Sequence, residues 1–306
     1  MLAAKNIADH VGLPPSRAAF VIYSPPKEVL ASAIAAELEN RGIACSMLRL
    51  GSFSGPGPAP LRDMVRSLAG DTGLVFLTTW AHSELLFETI GRPDRGIKVP
   101  SDHLYADFCV GMAAFVRTHA VDASELKTFR ENLLALLSSA RRIRVTAPGG
   151  TDITLVPRAW NWTNGEVFTA PLEGTARGTI VVDGCAYSGP PKKPFRLVVE
   201  DGRVVNLAEL DKDDDQQAMV LTDLTRDDNA AVLAEFGIGI NPGALPNADL
   251  MEAEQARGTC HFGFGHNLEY GGNNSSVYHF DLVVRNPIIQ VERQDGQSLR
   301  VDLSDG

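Results

Sequence analysis

Two segments in the second half of the chain resemble each other, EFGIGIN and HFGFGHN, and each begins with a side chain that can bind a metal. Glu235 opens the first segment and His261 opens the second. Apolar residues alternate with glycine in both, and this period of two is typical of a strand with the ligand and the glycines on one face. Glycine weakens a strand interior, so its repeated use beside a ligand predicts that a substrate or a metal cluster approaches the backbone closely.

A third segment, YHFDLVV, places His279 and Asp281 two residues apart, so both side chains point to the same face of a strand. Such a pair can hold one metal ion, or give one ligand to each of two ions. Glu166, in the turn of NWTNGEVFTAP, is a fourth candidate position. A structural explanation stays open for each segment, since strand glycines also occur in bulges and a His–Asp pair also forms an ordinary hydrogen bond.

The elements that position these residues belong to a β-rich half that begins after Arg141. Short apolar runs alternate there with turn residues such as Asp201-Gly202, a pattern typical of antiparallel strands. We therefore predict a β-rich α+β metal-binding domain over residues 141–306. The acidic run DKDDDQQ, residues 211–217, is predicted to be a solvated loop or a helix start.

The first half has a different pattern, in which short apolar strands alternate with amphipathic helices. A strand over Ala19–Ser24 is followed by Pro25 and Pro26, with Ser24 as the expected helix N-cap. A short helix is predicted at SELLFETIG, residues 83–91, and a helix capped by Asp122 is predicted to bridge two domains. The fold class is thus α/β, with a doubly wound domain over residues 1–140. The first strand is not followed by a glycine-rich loop, so no nucleotide cofactor is expected.

Composition restricts the partners and the compartment. The chain has 306 residues, 44% of them hydrophobic, and a formal net charge of -10, which argues against nucleic acid as a partner. The apolar runs are shorter than the roughly 18 residues that cross a bilayer, so a membrane is not expected either. No export signal is recognisable in MLAAKNIADHVGLPP. The cysteines are widely spaced and suggest no disulfide framework, which fits the cytoplasm.

The motifs NGEVFTAPLEGTARGTIVVDG, EFGIGINP, ARGTCHFGFG and YHFD, in this order, resemble the aminopeptidase T family of metallopeptidases. The similarity covers about residues 144–286. It implies a homodimeric hydrolase that binds two divalent ions (Zn, Mn or Co) and cleaves a small peptide or amide. Carried over by position, the metal ligands are Glu166, Glu235, His261, His279 and Asp281. A water held between two ions would attack the amide carbonyl, and Glu166, or else Glu235, would carry its proton to the leaving amine.

The sequence departs from that family at Leu268, where the family has a tyrosine, although Tyr270 and Tyr278 lie nearby. The ending HFDLVVRN and the chain length also resemble the 2,5-dihydroxypyridine 5,6-dioxygenases, which use one non-haem iron. That alternative is a ring-cleaving oxygenase acting on a hydroxylated N-heteroaromatic.

In the oxygenase interpretation His261, His279 and Asp281 would be the iron ligands. The aromatic residues that would line its pocket are Trp160, Trp162, Phe262, Phe264 and Tyr270, although aromatic residues at strand spacing more often belong to the core. Those enzymes have a histidine at the position of Glu235 and apolar residues at the positions of Glu166 and His261, which favours the hydrolase. A metal-free binding module is a third hypothesis, but buried carboxylates without a cation are costly.

Overall fold

A computed structural model describes residues 2–53, 57–68, 72–78, 85, 104–107, 112–246 and 249–303 of the chain. The chain divides into two compact units, Met1–Val121 and Asp122–Gly306. Parallel strands with helices make up the first unit and antiparallel sheets dominate the second, which confirms the predicted α/β class. Within the described ranges, no helix has the length and apolar character that crossing a membrane requires.

The first unit contains a four-stranded parallel sheet in the order β2-β1-β3-β4. Its described elements, in chain order, are α1 (Leu2–Val11), β1 (Ala18–Tyr23), α2 (Glu28–Asn40), β2 (Ala44–Arg49), α3 (Ala59–Arg66), β3 (Gly73–Leu77), β4 (Leu104–Asp107) and α4 (Met112–His119). Every residue of β3 is buried, as expected for a central strand of a parallel sheet. The helix predicted over residues 83–91 lies outside the described residues, Leu85 excepted.

The connection from β1 to α2 differs from the prediction. The Ser24 side chain makes no capping hydrogen bond, and Pro25–Lys27 forms a 3-10 turn before α2 begins at Glu28. Consecutive prolines cannot donate backbone hydrogen bonds, so the regular helix starts only after them. The buried stripe of α2 is as predicted, with Leu30, Ile34 and Leu38 facing the interior.

The second unit contains two sheets, a seven-stranded one in the order β11-β10-β9-β6-β5-β15-β16 and a five-stranded one in the order β14-β13-β12-β8-β7. The described helices of this unit are α5 (Ala123–Leu137), α6 (Asp215–Leu224) and α7 (Leu250–Ala253). Its strands are β5 (Ala140–Thr146), β6 (Asp152–Leu155), β7 (Pro157–Trp162), β8 (Glu166–Pro171), β9 (Arg177–Val182), β10 (Phe195–Glu200), β11 (Arg203–Val204), β12 (Leu233–Gly239), β13 (Thr259–Gly265), β14 (His279–Arg285), β15 (Ile288–Arg293) and β16 (Ser298–Val301).

Local signals in the second unit act as the sequence predicts. The Asp122 carboxylate accepts from the backbone N–H groups of Ser124 and Glu125 and caps α5. Asp214 caps α6 in the same way, so the acidic run is a helix start. Both residues of the Asp201-Gly202 turn have positive φ, the conformation that a tight hairpin between β10 and β11 requires. Helix α5 belongs to the second compact unit. The predicted domain boundary at residue 140 stays a prediction.

The five-stranded sheet has two different faces. Phe236, Phe262 and Phe264 are fully buried on one face and pack together as the core. The alternate positions of the same strands carry Glu235 and His261. The period-two prediction for EFGIGIN and HFGFGHN is therefore confirmed, and the opposite face holds the candidate site.

Candidate metal centre

All the sequence-predicted ligands meet on one face of the five-stranded sheet. Within the described residues, two groups have ligand atoms that all lie within 4.8 Å of one another. The first is Glu166, Glu235 and His261, and the second is Glu235, His279 and Asp281. Glu235 belongs to both groups, so its carboxylate joins them.

The contacts run through the two imidazole Nε2 atoms. His261 Nε2 lies 3.3 Å from Glu166 Oε2 and 3.4 Å from Glu235 Oε1. His279 Nε2 lies 3.2 Å from Glu235 Oε2 and 3.4 Å from Asp281 Oδ1. The five residues lie on four neighbouring strands, β8, β12, β13 and β14, and their side chains converge.

Strand register explains how so many bulky ligands fit on one face. Each ligand lies opposite a glycine of a neighbouring strand. The pairs are Glu166 with Gly239, Glu235 with Gly263, His261 with Gly237, Asp281 with Gly263 and His279 with Gly265. Directly opposed residues have their Cβ atoms only about 5 Å apart, so a second side chain at any of these positions would compete for the same volume.

The glycines of β12 and β13 leave space for the ligand side chains and for a neighbouring backbone segment. A Cβ placed on Gly237 would overlap the His261 imidazole. One on Gly263 would lie 2.6 Å from Asp281 Oδ1 and 2.8 Å from a ring carbon of His279. The space over these glycines is thus filled by the ligands themselves, and over Gly239 by the backbone of Ala256. The predicted close approach of a substrate or a metal cluster to bare backbone is therefore not what fills the space over these glycines.

Glu166 is also more constrained than the sequence suggested. It is the first residue of β8, not a mobile turn residue, and its carbonyl accepts from the Thr163 N–H at 3.0 Å. The Thr163 hydroxyl donates to Glu166 Oε1 at 3.3 Å, and the side chain is only 14% exposed. Its position in a strand therefore differs from the predicted turn, and its assignment as a proton shuttle stays a prediction.

In the absence of a metal ion, the charges of the first group favour a proton on His261. Burial lowers the pKa of His261, but Glu235, Glu166 and Asp281 outweigh this effect and raise it to about 10. Burial, together with the charges of Glu235 and Asp281, raises the pKa of Glu166 to about 7. His261 is therefore an imidazolium at neutral pH unless another cation takes its place.

The second group has two buried atoms that lack hydrogen-bond partners, and these test whether a metal would fit. The His279 Nδ1 atom is 2.7 Å from the carbonyl oxygen of His266, so the ring donates there and Nε2 is the nitrogen that faces the carboxylates. Nε2 and Asp281 Oδ1 are buried, contact each other at 3.4 Å and make no hydrogen bond of acceptable geometry. A cation between the two atoms would satisfy both, so this group fits a metal ion.

Two residues near the ligands escaped the sequence analysis. Glu254, directly after α7, is only 7% exposed, and its pKa is raised well above the ordinary value by burial and by Glu166 and Asp281. Phe168 lies on the ligand face of β8, opposite Gly237. Glu254 follows a helix of four residues with no periodic pattern, so no sequence signal marked it. Phe168 had such a signal, since it is two residues from Glu166 in a strand.

The predicted aromatic lining is mostly wrong. Phe262 and Phe264 lie in the core on the opposite face, and Trp160 packs against Phe236 on that side. Trp162 is half exposed, with the Arg130 guanidinium over its ring. Only Tyr270 contacts a ligand, through an edge-to-face arrangement with His279.

Comparison with solved structures supports the fold. The 2,5-dihydroxypyridine dioxygenase of Pseudomonas putida KT2440 has a TM-score of 0.70 at 16% identity, covering 98% of this chain and 95% of that one. Wild-type AmpT of Thermus thermophilus has a TM-score of 0.64 at 15% identity, covering 98% and 97%. No curated protein sequence matches the chain. Fold and site thus define an α/β protein with a candidate metal centre in its β-rich unit.

A family model matches the amino-acid sequence over more than half of the chain. The family model of NicX, 2,5-dihydroxypyridine 5,6-dioxygenase, matches residues 116–298, which include every candidate ligand. The chain belongs to this family.

This result corrects two predictions. The chain is not assigned to the aminopeptidase T family, with which it shares the fold. The predicted hydrolysis of a peptide or amide is overturned by the dioxygenase family match and by the dioxygenase structure. Glu166, Glu235 and His261 favoured the hydrolase, but the family match extends over the whole of residues 116–298.

Proposed function

We propose that this protein is a ring-cleaving dioxygenase for a hydroxylated N-heteroaromatic such as 2,5-dihydroxypyridine, with one non-haem Fe(II) held by Glu235, His279 and Asp281. The observation that carries the proposal is the pair of unsatisfied buried atoms, His279 Nε2 and Asp281 Oδ1, within a segment that matches a dioxygenase family.

The proposed ligand set differs from the iron ligands that the sequence predicted for an oxygenase. His261, His279 and Asp281 are not one of the ligand groups found within the described residues, whereas Glu235, His279 and Asp281 are. The set therefore has one imidazole and two carboxylates in place of two imidazoles and one carboxylate. Two carboxylates and a divalent ion sum to a neutral centre, which lowers the cost of burying all three.

Bound Fe(II) would supply the one-electron chemistry that lets dioxygen react with an aromatic ring. The chain's own residues orient and neutralise the site. The His266 carbonyl fixes the His279 tautomer and the plane of its ring. His261, between Glu166 and Glu235, offsets the negative charge of these two carboxylates.

Glu166 is suited to exchange a proton with the substrate. Its pKa of about 7 means that its carboxylate can accept a proton near neutral pH. A ring hydroxyl bound close to Glu166 Oε2 would lose its proton to that oxygen. This role needs no reorientation of the carboxylate, in agreement with its fixed position at the start of β8.

The proposal is tested by loading the protein anaerobically with Fe(II), adding 2,5-dihydroxypyridine, and then admitting oxygen. We expect one dioxygen consumed per ring cleaved, loss of the ring absorbance, and both atoms of labelled dioxygen in the product. Product formation without oxygen, or no turnover with Fe(II) across hydroxylated pyridines, would reject the proposal.

A pair of matched variants links this activity to the site. Asp281→Asn should lose bound iron and ring cleavage together, because the amide is a weaker ligand without charge. Asp215→Asn makes the same chemical change at a side chain that is 93% exposed. It should keep the iron content and the rate of the wild type.

A further inference from the structure

Tyr270 lies at the end of a 3-10 turn, Leu268–Tyr270, in the loop between β13 and β14. Buried amides hold this loop in place. The Asn267 side chain, fully buried, accepts from the Asn274 N–H at 2.8 Å, and the Asn274 amide donates to the Gly265 carbonyl at 2.6 Å. The Asn161 amide of β7 donates to the Tyr270 carbonyl at 3.4 Å. Tyr270 is therefore fixed relative to the sheet that carries the ligands.

The ring of Tyr270 packs edge-to-face on two residues of the ligand face. Its centroid is 5.3 Å from that of His279, with an interplanar angle of 83°, and 5.3 Å from that of Phe168, at 79°. These contacts place an aromatic wall beside the second ligand group. Leu268, at the position where the sequence comparison expected a tyrosine, is instead 40% exposed.

The hydroxyl of Tyr270 is a neutral hydrogen-bond donor. An ordinary phenol has a pKa of about 10, well above neutral pH. The phenol therefore keeps its proton. Within the described residues, its hydroxyl makes no hydrogen bond to a protein acceptor.

We infer that Tyr270 is a substrate-binding residue whose hydroxyl donates a hydrogen bond to a ring oxygen of the bound hydroxylated N-heteroaromatic. The inference rests on the proposed function for the substrate class. Within the described residues, the side chains of the two ligand groups are carboxylates, which accept, and imidazoles, which already contact them. A ring oxygen that has given up its proton needs a donor, and Tyr270 supplies a neutral one beside the metal ligands.

A binding experiment tests the inference without turnover. The protein is loaded anaerobically with Fe(II), and its affinities for 2,5-dihydroxypyridine and for unsubstituted pyridine are measured by calorimetry. Tyr270→Phe keeps the ring and removes only the hydroxyl. We expect it to bind the dihydroxypyridine about 10-fold more weakly, as for the loss of one hydrogen bond. Its affinity for pyridine and its iron content should be unchanged.

Tyr278→Phe is the matched control, because Tyr278 stacks on Phe280 on the opposite face. It should bind both compounds as the wild type does. Equal affinity of Tyr270→Phe and wild type for the dihydroxypyridine, or the same loss for both compounds, would overturn the inference. If the wild type binds the dihydroxypyridine but consumes no oxygen, the proposed function fails and the Tyr270 result still decides this inference. A wild type that binds neither compound overturns both.

Discussion

The His261 imidazole lies over Gly237, the residue directly opposite it on the neighbouring strand. The ring occupies the volume that any side chain at position 237 would need, and from there Nε2 reaches both Glu166 and Glu235. The glycine thereby determines where the imidazole lies.

Gly237→Ala should displace His261 and disturb the ligand groups, because the added methyl would overlap the ring. We expect a loss of about 1–3 kcal/mol in the free energy of unfolding, the usual cost of overpacking, together with weaker metal binding. Urea unfolding and metal titration measure the two effects. Gly51→Ala is the control, since nothing lies within 4 Å of the added carbon. Wild-type metal affinity in Gly237→Ala would contradict the steric argument.

The sequence predicted the faces of β12 and β13 because a strand's period of two can be recognised directly from alternating residues. It could not predict what fills the space over Gly237 and Gly263, since this depends on pairing between strands far apart in the chain. Convergence of the five ligands was available only through resemblance. Glu254 and the exact position of Tyr270 lie on non-periodic segments whose paths are set by tertiary contacts.

Metal binding should release protons at neutral pH. Although burial opposes it, the pKa of His279 is raised well above the ordinary value by Asp281 and Glu235, so its imidazole is protonated at pH 7 in the absence of metal. A ligand must lose this proton to bind, so the apparent affinity should rise by about tenfold per pH unit while one proton is displaced. Calorimetric titration at pH 7 in two buffers with different ionisation enthalpies counts the protons. An observed enthalpy that does not depend on the buffer would contradict this prediction.

Glu254→Gln should be tolerated at neutral pH and should become relatively more stable as the pH rises. Because the folded-state pKa of Glu254 is raised above its ordinary value of 4.5, the native state binds more protons than the unfolded state above that pH. The wild type therefore loses stability with rising pH through the folded-state pKa, and the amide, which resembles the protonated acid, does not.

The test for Glu254 is the difference in melting temperature between variant and wild type at several pH values from 5 upward. The difference should grow in favour of Glu254→Gln. Glu131→Gln removes a carboxyl that is 59% exposed on α5 and should follow the wild type throughout. A constant difference for Glu254→Gln would show that the buried carboxyl does not hold a proton.

His261 should give the chelator-treated protein a stability that falls between pH 6.5 and about 10. Its pKa is raised from 6.5 to about 10 because Glu235, Glu166 and Asp281 outweigh burial, so the native state binds more protons than the unfolded state in this window. Stability is fully present below pH 6.5 and declines as the pH rises through the folded-state pKa. Urea unfolding midpoints in EDTA at pH 6.5, 8 and 9.5 measure the decline. His261→Gln removes the titrating group, so the difference between the two proteins isolates its contribution from those of other residues. The variant should lack this part of the slope, and parallel pH profiles for the two proteins would contradict the assignment of a proton to His261.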